Sequence, residues 1–361
     1  MSRTVFILGA GASAETGAPL MANFLDVAND IRPSVKEEPF TQSFDLVFKA
    51  RGELQRVHSK AVLDIDNIEA VFAAFEMAEL IGGLGNLQED ELKGLDPAIR
   101  RLIVRTLTDS IRFPVKEKKA WPPGAYHEFV GLVGGLRAKA NDPRAVSVIT
   151  FNYDIALDYA FHFSNATIDY CLSPNEAPKG IPVLKLHGSL NWGRCHICGS
   201  IAPWHLRDFF MMHQWDLWAR EIEWAKLDIG PRISTLSHCG KLCEAEPAIV
   251  PPTWNKTMNR KGIENVWRCA AREFSEAETI IVIGYSLPET DYFFRYLYGL
   301  GTISERILRA FWVFDPDPDN GVSGRFQKLL GPAAINRFRA KKAIFSKAIA
   351  ILKEELGIRE E

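Results

Sequence analysis

The chain predicts an α/β fold: a doubly wound parallel sheet carrying a helical insertion and a small cysteine-rich module. Three observations carry this reading. Short aliphatic and β-branched runs recur at Thr4–Leu8, Val146–Phe151, Ile181–Leu186, Thr279–Ile283 and Ala310–Phe314. From residue 146 onward they alternate with helical patterns, the order expected of βαβ units in a parallel sheet. Four of the runs end in small or polar residues: Gly9-Ala10-Gly11-Ala12-Ser13, Thr150-Phe151-Asn152-Tyr153-Asp154, Leu186-His187-Gly188-Ser189 and Ile283-Gly284-Tyr285-Ser286-Leu287. Open α/β sheets bind ligands outside the carboxyl ends of their strands, so these segments point to one nucleotide site.

The elements follow in order. Thr4–Leu8 reads as a buried strand, and the glycine loop leads into a helix over Pro19–Ile31. Pro19 suits a first helical turn, and Leu20, Phe24, Val27 and Ile31 recur at helical spacing. From 34 to 145 the pattern is mainly helical, clearest at Asp66–Phe75 with Asp66 as N-cap. That segment reads as an insertion between two sheet strands. After the strand at 146 come a helix over Asp154–Phe163 and the strand Ile181–Leu186. Residues 195 to 243 form a separate module, and Ala248-Ile249-Val250 returns to the main fold. A helix over Ile263–Ser275, two further strands and a helical segment over Ala333–Leu356 complete the chain. The resulting division is a sheet domain from 1–33, 146–194 and 244–361, a helical insertion at 34–145 and the module at 195–243.

Composition sets bounds. A chain of 361 residues can bury a large core, and 47% hydrophobic with 24% charged residues is ordinary for a globular protein. A net charge of −2 offers no basic field, so direct nucleic-acid binding is not expected. The run Arg337-Phe338-Arg339-Ala340-Lys341-Lys342 reads as a solvated helix face. No apolar run has the length of a membrane span. The N-terminus enters a glycine loop too soon for a signal peptide, and the expected location is cytoplasmic. Six cysteines are too few for a disulfide scaffold, which leaves them as thiols or metal ligands.

The strand-end residues suggest chemistry. Gly9 and Gly11 let the backbone turn sharply, so that the amides of Gly9, Ala10, Gly11 and Ala12 can cradle a pyrophosphate and Ser13 can add a hydrogen bond. The third glycine of the dinucleotide fingerprint is missing, and a plain strand–helix turn is the competing reading. Asn152 can bind a ribose hydroxyl, a carboxamide or a water; Asp154 can accept from a hydroxyl; His187 is a natural general base. Helix capping and a structural histidine are the competing readings, weakened by Gly188 and Ser189 beside the histidine. Gly284 and Ser286 offer a glycine and a hydroxyl at another strand end. Asp315 suits either a second ribose or a turn before Pro316.

Cys195/Cys198 and Cys239/Cys243 form C-x2-C and C-x3-C pairs. Four thiolates close a tetrahedral zinc site to substrate, which makes it structural; His196 and His238 are possible substitutes. Cys171 and Cys269 read as buried thiols. Between the pairs lie Trp204, Phe209, Phe210, Trp215, Trp218 and Trp224, which read as a small core around the module, with a lid or an oligomer contact as alternatives.

In this order the motifs resemble the sirtuin superfamily, and more closely its divergent branch in bacterial anti-phage defence. Gly9 to Ser13 resembles the GAGxS loop and Gly17-Ala18-Pro19 the GIP after it. Asn152 and Asp154 fall on the Asn and Asp of TQNxD, and His187-Gly188 on the catalytic HG. The cysteine pairs stand where the zinc module does; Pro247 to Val250 resembles PxIV, and Gly284 to Leu287 resembles GxSL. Asn67-Ile68-Glu69 and the 34–145 segment resemble the helical insert of the defence branch. The resemblance implies a Rossmann-like NAD-binding domain, with NAD as substrate and zinc as structural metal.

The departures are informative. Leu20-Met21-Ala22 stands where a deacylase has Asp-Phe-Arg, Phe151 replaces the Gln of TQNxD, and Pro251 to Lys256 replaces the acyl-peptide segment. The resemblance therefore implies an NAD hydrolase releasing nicotinamide and ADP-ribose, a regulated abortive-infection effector in which Asn152 and His187 are catalytic. It also implies a homo-oligomer and a regulatory partner such as a helicase-type ATPase or an Argonaute. A protein deacylase, an ADP-ribosyltransferase and a non-catalytic NAD-binding scaffold are the rival readings.

Overall fold

The computed structural model describes residues 3–55, 63–142, 144–174, 179–213, 223–250, 262–289, 291–303 and 306–358. Seven strands form one sheet: β1 (Thr4–Leu8), β2 (Val146–Thr150), β3 (Ile168–Asp169), β4 (Ile181–Lys185), β5 (Thr279–Ile283), β6 (Ala310–Asp315) and β7 (Phe338–Lys342). Their order is β7-β6-β5-β1-β2-β4-β3, and every pairing is parallel. Leu8 is in register with both Thr150 and Ile283, so three strands end level. All residues of β1, β2 and β4 are buried, the pattern of a sheet covered on both faces. On one face the helix Gly124–Ala140 sets Phe129 against Phe6 (5.0 Å) and against Phe345 (5.7 Å) of the C-terminal helix Phe345–Leu356. On the other, the helix Tyr292–Gly301 sets Tyr298 against Phe311 (6.0 Å). The fold is the expected doubly wound, Rossmann-like α/β sheet.

The chain steps outward from β1 through β2 to β4, then returns to β5 on the other side of β1. Strand order therefore reverses between β1 and β5, and the loops leaving them meet there. Gly9 N donates to Ile283 O (3.2 Å) and Gly11 N to Gly284 O (2.9 Å). A Cβ on Gly9 would lie 2.5 Å from the Gly284 oxygen, and one on Gly284 2.4 Å from Ala12 N, with Gly284 at φ +66°. Both glycines are thus required by backbone-to-backbone packing.

Four local expectations are corrected. The first helix begins at Phe24, not Pro19, because Asn23 Oδ1 accepts from Leu20 N (2.7 Å) and holds residues 20–23 in a turn. Asn67, not Asp66, caps the helix Ile68–Ile81 by accepting from Glu69 N; Asp66 pairs with Arg51 instead. The 34–145 segment is interrupted by strand Phe113–Lys116, which pairs with Lys119–Ala120 and Trp224–Ala225. Pro114 is poorly suited to a helix interior, and Glu117 and Lys118 adopt the positive φ values of a tight hairpin. The 333–356 segment is not one helix: Phe338–Lys342 forms β7, with Phe338 packed on Phe311 (6.2 Å). The Arg/Lys run is therefore an edge strand, where exposed cations discourage further strand pairing.

Gly284→Ala is expected to cost about 3 kcal/mol, combining left-handed backbone strain with overpacking. Gly324→Ala, at a helical site where a Cβ meets nothing within 4 Å, should be neutral or slightly stabilising. Urea unfolding of the two variants checks the contrast.

Candidate functional site

Beyond β1 the loop makes one helical turn, Ala10–Ser13, then a 3-10 turn that ends at Gly17 (φ +94°). Ser13 is buried at the centre of a polar cluster. Its Oγ donates to Asp154 Oδ2 (2.7 Å), accepts from Asn152 Nδ2 (3.0 Å) and shares a hydrogen bond with Tyr126 Oη (2.7 Å). Asn152 Nδ2 also donates to Gly9 O (2.9 Å), tying the end of β2 to the end of β1. Asp154 Oδ1 accepts from Ala156 N (2.9 Å), so this carboxylate also caps the helix Ala156–Phe163. The structure brings Ser13, Asn152 and Asp154 together as expected. Tyr126, from the Gly124–Ala140 helix, completes the cluster, and no local pattern marks it in the sequence.

A second buried network lies beneath. Lys185 Nζ donates to Asp154 O (2.6 Å) and to Asp158 Oδ2 (2.9 Å), with both side chains about 1% exposed. Asp158 is hydrogen-bonded by Tyr170, Asn191 Nδ2 donates to Tyr170 Oη (3.0 Å), and Ser189 Oγ donates to Asn191 Oδ1 (2.7 Å). Each member has a partner, which is what makes a buried ion pair tolerable. The network fixes the loop after β4 that carries His187. Its sequence signal is one lysine ending an aliphatic strand. Burial raises the Asp154 pKa above its ordinary value, opposed by the Lys185 charge and by hydrogen bonds from Ser13 and Ala156.

His187 is buried and faces the other side of the 151–154 segment. Its ring meets Phe151 edge-on (5.2 Å) and lies beside Tyr153 (6.0 Å). Phe151 stacks on Tyr285 (4.2 Å, 14°), and Tyr285 Oη donates to Asp291 Oδ2 (2.6 Å). Val250 N donates to His187 O (2.8 Å), and Tyr153 Oη to Val250 O (2.6 Å). A Cβ on Gly188 (φ +82°) would lie 2.0 Å from Ala248 O, so this glycine also serves close backbone packing. Ser286 is exposed, and its carbonyl accepts from Arg325 Nε (2.9 Å). Asp315 Oδ1 accepts from Asp317 N (2.8 Å), the turn-residue role.

The pocket at the polar cluster has a volume of about 30 Å³. Its walls are Ala10, Ser13, Ala18, Pro19, Met21, Phe24, Leu107 and residues 151–154. His187, Gly284, Ser286 and Asp315 are not among them. Such a volume admits a water or two.

In the cysteine module, Cys195, Cys198, His238 and Cys239 place their ligand atoms within 4.8 Å of one another. Zn–S bonds of about 2.3 Å and Zn–N bonds of about 2.0 Å give tetrahedral edges of about 3.8 and 3.5 Å. The observed separations are 3.8 Å for Cys198–Cys239, 3.6 Å for Cys198–His238 and 3.3 Å for Cys239–His238. The cluster fits structural zinc, with one correction: His238 stands in the place expected for Cys243. The hairpin Ser237–His238/Lys241–Leu242 turns at Cys239 and Gly240, both at positive φ, while Cys243 lies beyond it. Cys243 bridges the Cys195 backbone, with its sulfur over Gly193. Trp204 and Phe209 are buried edge to face (5.0 Å). Phe210 packs on Tyr159 and His162, outside the module, and Trp224 is half exposed, so these two do not form a core around the metal cluster. Trp215, Trp218 and Pro251 to Lys256 lie outside the described residues. No described helix is long and apolar enough to cross a membrane.

No protein-family model and no curated protein matches this chain. Solved Sir2 structures align along it. A Sir2 homologue–NAD complex covers 99% of this chain and 90% of its own at 17% identity and a TM-score of 0.43. A structure addressing the mechanism and regulation of Sir2 enzymes covers 99% and 93% at 14% identity, with a TM-score of 0.43. A mutant Sir2 homologue bound to ADP-ribose covers 100% and 96% at 15% identity, with a TM-score of 0.40.

Two outcomes test the site. Unfolded Asp154 titrates near 3.8 and folded Asp154 above that value. Between the two, the folded protein keeps a proton that the unfolded chain releases, so stability falls as pH rises. Asp154→Asn removes this loss and should gain on the wild type as pH rises above about 4, read by urea unfolding at each pH. A difference flat across that range counts against it. In the module, His238→Ala and Cys239→Ser should lower zinc content measured by plasma mass spectrometry, while Cys243→Ser keeps it. Zinc lost by Cys243→Ser as well as Cys239→Ser, but kept by His238→Ala, would establish the four-thiolate set.

Proposed function

We propose that this chain is an NAD hydrolase that cleaves the nicotinamide–ribose bond with water as acceptor, releasing nicotinamide and ADP-ribose. The observation that carries the reading is the joined set Ser13, Asn152 and Asp154, hydrogen-bonded beside the sheet's switch point, with Ser13 and Asp154 buried and Asn152 half-buried. In this reading Ser13 and the loop amide of Ala10 face the pyrophosphate, with Gly9, Gly11 and Ala12, whose amides are bound within the protein, fixing the loop. Asn152 and Asp154 orient the nicotinamide ribose. The bond breaks through an oxocarbenium-like transition state, and His187 takes the proton of a water or ribose hydroxyl. Gly284, Ser286 and Asp315 border the adenosine side. Cys195, Cys198, His238 and Cys239 would hold zinc, which would brace the cysteine module.

A dinucleotide needs hundreds of Å³, far more than the closed pocket offers. Substrate entry therefore requires residues 18–24, which supply four of its walls, to move outward. An enzyme that is closed at rest suits a reaction that would drain a cell of NAD, and this supports a regulated anti-phage effector in the cytoplasm. Self-assembly or a partner, such as a helicase-type ATPase or an Argonaute, would open it. A non-catalytic NAD-binding scaffold is the second reading, and it requires the same opening.

Product analysis separates these. Wild type should release nicotinamide and ADP-ribose in equal amounts without an acylated peptide, and Asn152→Ala and His187→Ala should each slow this by about 100-fold. NAD left equally intact by wild type and Asn152→Ala overturns the proposal. NAD bound but not turned over, with binding indifferent to His187→Ala, selects the scaffold. A peptide requirement would mean deacylation, and labelled protein would mean ADP-ribosyl transfer.

A further inference from the structure

The helix Tyr292–Gly301 has two apolar faces. The inner one is in the core: Phe294 packs on Tyr285 (5.2 Å) and Phe151 (5.5 Å), and Tyr298 on Phe311. The outer one is bare. Tyr292, Tyr296, Leu300, Ile303 and Ile307 are 60%, 65%, 71%, 76% and 74% exposed. The first three recur every fourth residue and lie on one side of the helix, and Ile303 and Ile307 follow just past its end. Gly299 is exposed among them, and a Cβ there would meet nothing within 4 Å.

We infer that this outer face is an interface between two copies of this chain. Side chains of these sizes at such exposures offer roughly 700 Å² together, close to the about 800 Å² per partner of a stable interface. That exceeds the largest apolar patch usual on a monomer, about 300–600 Å². The exposed side chains on the helix itself, Tyr292, Tyr296 and Leu300, are uncharged, and Arg306 and Arg309 beside Ile307 pair with Glu278, which matches an apolar interface core with a polar rim. A straight line of side chains on one helix meets its own copy across a two-fold axis, and Gly299 lets the two backbones approach closely. The inference goes beyond the NAD reading and does not depend on it.

Sedimentation velocity of the full chain, without NAD, from about 1 to about 50 µM tests it. Wild type should sediment at twice the 40.5 kDa chain mass or a higher even multiple. Tyr296→Glu and Leu300→Lys should halve the mass at least, with unchanged circular dichroism. A wild type that stays at the single-chain mass overturns the inference, including one that instead binds lipid vesicles or another protein. So does an oligomer that both substitutions leave intact. If the charged variants lose their folded spectrum, Gly299→Cys decides: an interchain disulfide under mild oxidation supports the two-fold contact, and its absence overturns it.

Discussion

At the switch point of the sheet, two loops pack backbone against backbone, and the placement of Ser13 and Tyr285 follows from that contact. Gly9 and Gly11 lie against Gly284 at distances no Cβ tolerates. The amides of Gly11 and Ala12 are bound within the protein, to Gly284 O and Gly9 O. Ser13 is thereby set down at the end of β2, where Asn152 and Asp154 meet it. On the other side the contact positions Tyr285 over Phe151. A glycine-rich loop after a first strand is usually read as making room for a ligand; here part of the requirement is making room for another loop.

The buried polar groups form a second constraint. Asp154, Lys185 and Asp158 lie where an unpaired charge would cost several kcal/mol. Lys185 answers both the Asp158 carboxylate and the Asp154 carbonyl, and the bonds continue through Tyr170, Asn191 and Ser189. The result is a rigid floor under the loops after β2 and β4. A site that must hold reacting groups in place needs such support, since the loops themselves have little regular structure.

Much of the fold was legible because its strands are long aliphatic runs with clear ends, and β1, β2, β4, β5 and β6 stand where those runs do. β7 was missed because Phe338-Arg339-Ala340-Lys341-Lys342 is an edge strand, whose exposed cations obscure the period of two. The turn before Phe24 was hidden by apolar residues that happen to keep helical spacing. Ser13, Asn152 and Asp154 were legible because each follows a strand. Tyr126 was not, because its role arises only when a distant helix packs over the loop. Cys239 belonged to a recognisable pair, but which neighbour shares the cluster depends on a two-residue turn that spacing does not reveal.

Alternation along residues 151–154 bears directly on how such a site is controlled. Asn152 and Asp154 bond to Ser13, while the rings of Phe151 and Tyr153 contact His187. One short segment both builds the polar cluster and packs on the histidine. Phe151 is the pivot of this arrangement, since its ring also bears on Tyr285 and Phe294. Phe294 belongs to the helix whose outer face is bare. A shift of that helix would thus reach the histidine through two aromatic contacts, without passing through the polar cluster. Met21 and Phe24 form another wall of the pocket at the polar cluster. Asn152 and His187 are thus held by contacts from different parts of the chain, one through Ser13 and the other through Phe151.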